Sequence, residues 1–110
     1  MIDDTIAKIE ARIRKANSVP EENKAELLGL FSTLKSEVAQ LAQTNEEQAQ
    51  SITGFTEISA HEATREEKNP ELLKHSLNGL SSSVSGFEES HPKLVQIVNR
   101  ICTTLSNLGI

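Results

Sequence analysis

The chain has no Trp and no Tyr, and Phe31, Phe55 and Phe87 are its only aromatic residues. A β-sandwich or barrel draws on aromatic and β-branched side chains, so this scarcity argues against an all-β fold. A single cysteine, Cys102, excludes an internal disulfide and fits a reducing compartment. No apolar run approaches the roughly 18–20 residues of a membrane span. The opening Met1-Ile2-Asp3-Asp4 is acidic and lacks the hydrophobic run of a signal peptide. These absences predict a cytoplasmic protein with no place in a membrane. Basic residues are also few, 11 Lys and Arg against 16 Asp and Glu, for a net charge of −5. A nucleic-acid partner requires a basic face that displaces counterions from phosphates, so none is expected.

Helix formers are abundant: Ala, Leu, Glu, Lys and Gln dominate the 110 residues. With only 36% apolar residues, a chain of this length forms one domain with a lean core, or shares its core with a second copy. Charge is unevenly spread. Residues 1–24 hold five acids and five bases, whereas residues 25–60 hold five acids and one base. The short basic run of Arg12, Arg14 and Lys15 reads first as a solvated helix face.

Apolar spacing divides the chain into helices. Ile2, Ile6, Ile9 and Ile13 share one face of a first helix over about Asp3 to Ala16, with acids at its start and bases at its end. Asn17 to Glu22 forms a break in which Ser18 and Glu21 have capping-box spacing around Pro20. Leu27, Phe31, Leu34, Val38 and Leu41 then form a heptad seam. The same register reaches Asn45, Gln48, Ile52 and Phe55, and no proline interrupts Val38 to Asn69. The expectation is one long second helix running past residue 60, the alternative being a break at Thr44–Gln50 or at Gly54. Asn45 and Gln48 fall where apolar residues belong. They read either as a polar layer that sets register or as water-facing residues where the stretch leaves the core.

Residues 61–69 are charged and read as a helix end and connection. Asn69-Pro70 restarts the chain as cap and first helical residue. Leu73, Leu77, Leu80, Val84 and Phe87 define a third helix over about Pro70 to Phe87. Gly79 and several serines flank its seam, which permits close helix approach. Pro92 opens a fourth helix to about Leu108, with Leu94, Val98, Ile101, Leu105 and Leu108 inward and Asn107-Gly109 as its stop. The predicted fold is all-α: antiparallel helical hairpins in a coiled-coil-like four-helix bundle with one long central helix. One domain spans 1–110, with an N-terminal hairpin over 1–43, an extension and connection over 44–68, and a C-terminal hairpin over 69–110.

Tests for chemistry come back empty. His61-Glu62-Ala63-Thr64-Arg65 has Arg where a zincin motif needs its second His. Glu88-Glu89-Ser90-His91 supplies one Glu-x-x-His, where a di-iron bundle needs two. Glu57/His61 and Glu71/His75 have the spacing of exposed helical pairs. Cys102 beside Ile101 reads as a structural thiol. No catalytic, cofactor-binding or metal residues are assigned.

Phe87-Glu88-Glu89-Ser90-His91-Pro92-Lys93-Leu94 and the terminal Leu105-Ser106-Asn107-Leu108-Gly109-Ile110 resemble a bacterial family of small uncharacterised helical proteins, a domain of unknown function. Its marks are a Phe-Glu-x-Ser-His-Pro turn and a Leu-Gly-Ile tail. The likeness is sharp over residues 87–110 and loose over 1–42, and residues 44–86 look longer than is usual there. It implies a bacterial source and no activity, and suggests that Phe87, His91, Pro92, Gly109 and Ile110 serve one structural or interaction corner. The resulting expectation is a non-enzymatic protein, a homodimer that acts on an unidentified protein partner through interaction or scaffolding. The alternative is a small-ligand or metal-binding bundle.

Overall fold

A computed structural model describes residues 2–108. Five helices follow one another: α1 (Ile2–Lys15), α2 (Glu21–Ala42), α3 (Glu46–Thr64), α4 (Pro70–Ser83) and α5 (Pro92–Leu108). No strand occurs among the described residues.

The long second helix does not exist: it divides into α2 and α3 at residues 43–45. Thr44 turns its amide and hydroxyl back onto the Leu41 carbonyl, which also accepts from the Asn45 amide at 2.8 Å. Asn45 then leaves helical geometry (φ −151°, ψ 77°), and its side chain accepts from the Gln48 amide at 3.1 Å. Asn is a strong N-cap and a weak helix-interior residue, and Glu46 and Glu47 place negative charge at the new N-terminus. Asn45 and Gln48 are therefore not a buried polar layer. Asn45 is an exposed cap, and Gln48 is half-buried with its amide donating to the Ser83 carbonyl.

Other boundaries are close to expectation. Asn69 caps α4, accepting from the Leu72 amide, with Pro70 in its first turn. The Ser18–Glu21 capping box does not form. Pro20 occupies the N-cap position of α2 without a side-chain cap. The helix containing Leu80 stops at Ser83, four residues before Phe87, because the serine run is a weak helix former and Gly86 takes a left-handed φ of +95°.

α3 is the hub. It packs against all four other helices, whereas α1 does not reach α4 or α5 among the described residues. Polarity follows from particular pairs. Gln48 at the start of α3 meets Ser83 at the end of α4, so these two are antiparallel. Arg100, midway along α5, lies 4.0 Å from Glu26 in the early part of α2. The C-terminal halves of α1 and α3 line one groove, so these helices run side by side in the same direction.

The core joins Ile6, Ile9 and Ile13 of α1, Leu27 to Leu41 of α2, Leu73 and Leu80 of α4, and Leu94 to Leu105 of α5. Into it α3 sends mostly small side chains: Ala49, Thr53, Thr56, Ser59, Ala60 and Ala63, with Ile52 its one large buried aliphatic. Thr53 and Thr56 donate to carbonyls four residues back at 2.8 Å, which satisfies their buried hydroxyls. Phe55 is not on the inner seam. It is 38% exposed and lies across Gly79 of α4, where a Cβ would overlap its ring.

Candidate functional site

The corner between α4 and α5 is built locally. The Gly86 amide donates to the Glu88 carboxylate at 2.9 Å, and the Phe87 amide returns to the Val84 carbonyl. The His91 amide donates to the Phe87 carbonyl at 2.8 Å, and the two rings meet edge to face with centroids 5.7 Å apart. His91 Nδ1 lies 3.1 Å from the Ser90 hydroxyl, and Pro92 begins α5. These contacts fix the angle between two helices. Leu108 stands at the opposite end of α5, about 24 Å away at ~1.5 Å per residue, and Gly109 and Ile110 lie outside the described residues.

The histidine pairs are superficial. His75 Nε2 is 3.8 Å from the Glu71 carboxylate, both well exposed. His61 Nε2 is 3.9 Å from Glu62, whose buried carboxylate takes a 3.0 Å hydrogen bond from Arg65. Among the described residues no group of three or more His, Cys, Asp or Glu side chains stands close enough to hold a metal ion. No helix among them is long and apolar enough to cross a membrane. Cys102 sits half-buried between α4 and α5, its thiol 3.9 Å from the Leu77 carbonyl. Burial pushes it up to about 11, which leaves almost no thiolate at neutral pH.

Two surface features stand out instead. The first is exposed apolar surface on α3 and α4: among the described residues Phe55, Ile58 (50% exposed) and Leu72 (45% exposed) are the large hydrophobic side chains left open to solvent. The second is a groove of about 730 Å³ between α1 and the α3–α4 connection. Lys8, Arg12 and Lys15 line one side, Arg65 and Lys68 the other, with Glu57 and Glu66 as its carboxylates. Arg12 and Lys15 thus line the groove, while Arg14 lies outside it. The spacing of Lys8, Arg12 and Lys15 puts them on one helix edge, a grouping that reading Arg12, Arg14 and Lys15 as one run passes over. That Arg65 and Lys68 face them depends on the α1–α3 packing, which no local pattern reveals.

A family profile, the domain of unknown function DUF4404, matches residues 27–110. The chain belongs to this family. The match runs through the middle of the chain as well as the 87–110 corner and tail, and it leaves α1 outside. Among curated proteins and among solved structures, nothing matches.

Proposed function

We propose that this member of the DUF4404 family is a non-enzymatic interaction protein of the bacterial cytoplasm that self-associates through the α3/α4 face. The observation that carries the reading is the exposure of Phe55, Ile58 and Leu72, three large apolar side chains open to water on two helices that pack together. A contiguous apolar patch rimmed by polar residues is the usual mark of a protein contact. The rim favours a second copy as the occupant. Glu71, Lys74 and His75 of α4 and His61 of α3 bring both signs of charge to the same two helices. In a two-fold contact each patch meets itself reversed, so mixed charge can be self-complementary where a single sign would repel.

The test is sedimentation equilibrium between about 1 and about 500 μM. Expected is a monomer–dimer equilibrium for the native chain. Ile58→Glu and Leu72→Glu, both at half-exposed positions, are expected to remain monomeric with unchanged helicity. A native chain that stays monomeric over the whole range, or charged variants that dimerise as it does, would overturn the reading.

A further inference from the structure

The groove beside α1 runs against the charge of the whole molecule. Five cations and the carboxylates of Glu57 and Glu66 line it, and with Glu62 paired to Arg65 at 3.0 Å the net charge is +2 in a chain of −5, so the remainder carries −7. Lys8, Arg12 and Lys15 follow at intervals of four and three residues, which stacks like charges along one edge of α1. Among the described residues none of the three side chains has an ion pair or hydrogen bond. Attraction to the negative end of the helix accounts for Arg12 and Lys15, but it fades within the last turn, and Lys8 stands nearly two turns further back. Across the groove, Arg65 is fixed by Glu62 and Lys68 by the Ala63 carbonyl. Their charges are thereby set into the wall.

We infer that this groove binds a small molecule carrying two or more phosphate groups. Its volume lies within the range of ligand sites, roughly 300–1,000 Å³. Guanidinium and ammonium groups together are the usual phosphate-binding set. The cations of α1 extend about 10 Å at ~1.5 Å per residue, too far for one phosphate and suited to a chain or pair of them. Ala11 and Ala16, with the edge of Ile9, add apolar lining for an organic body. Glu57 and Glu66 repel phosphate and accept from hydroxyl or amine groups, which orients the ligand with its phosphates toward α1.

Titration calorimetry with inorganic tripolyphosphate tests this, with sulfate at matched ionic strength as the comparison. Expected is saturable one-site binding of tripolyphosphate and not of sulfate. Arg12→Gln and Lys15→Gln should each weaken it by roughly tenfold. Arg14→Gln removes the same charge from the same exposed helix outside the groove, and should leave binding within about twofold. Thermal melts confirm that all three variants fold. Absence of saturable binding would overturn the inference. So would equal loss in Arg12→Gln and Arg14→Gln, which would mean attraction by general charge, or undiminished binding in both groove variants.

Discussion

α3 and α5 occupy the same core by opposite means. α5 presents Leu94, Val98, Ile101 and Leu105, each fully buried, against α2, α3 and α4. Its stability comes from large aliphatic area removed from water. α3 presents Ala, Ser and Thr on its inner side, with one large aliphatic, and touches every other helix. A helix surrounded on several sides has little room for long side chains, because the distance between packed helices follows the residues at the contact. What α3 lacks in area per residue it regains through close approach and many small dispersion contacts. The hub of the fold is thus the helix with the weakest apolar seam.

If that contrast is correct, the two helices should fail in different directions. The largest effect is expected from Ile101→Ala on α5, which opens a cavity at a fully buried position and should cost about 3 kcal/mol. Urea unfolding checks it, and a loss under about 1 kcal/mol would mean that α5 is not held by its large side chains. Next is Ala60→Leu on α3. Shortening is not the danger there. Ala60 is fully buried, and the added atoms must push neighbouring helices apart, at a cost of about 2 kcal/mol. The same enlargement would leave the chain as stable as before, or more so, if α3 were loosely packed, and the same unfolding curves decide it.

The contrast also explains what could be read in advance. α5 was legible from Pro92 to Leu108 because seam, start and stop agree in sequence. α1 was legible for the same reason, within a residue at each end. α3 was not. Ile52 and Phe55 continue the register of Val38 and Leu41, so periodicity alone fuses the two helices, and it places Phe55 inside where the structure leaves it partly open. The local signal that separates them was present in Asn45 and the Glu46-Glu47 pair, an N-cap followed by first-turn acids. It lost to the longer-range pattern because Asn at a seam position also has a coiled-coil reading. The exposed apolar side chains of α3 and α4 and the basic groove were beyond sequence for another reason. Each joins residues of different helices, Phe55 and Ile58 with Leu72, and Lys8, Arg12 and Lys15 with Arg65 and Lys68. For the first pair, Gly79 lies under Phe55 and lets α3 and α4 approach closely.

The smallest expected effect sharpens the comparison most, because it is a gain. Buried hydroxyls on α3 are tolerable only where the helix itself satisfies them. Thr53 and Thr56 do this through carbonyls one turn back, whereas Ser59, fully buried one turn later, has no hydrogen-bond partner for its hydroxyl among the described residues. An unsatisfied buried hydroxyl costs on the order of 1 kcal/mol or more, and serine is a poorer helix former than alanine. Ser59→Ala should therefore stabilise the protein by about 1 kcal/mol, seen as a higher urea midpoint at unchanged slope. Thr56→Ala removes a satisfied hydroxyl and a packed methyl from the same helix, and should destabilise it instead. If Ser59→Ala also lost stability, the serine would be making a contact that a small-residue hub does not need, and close packing alone would not account for α3.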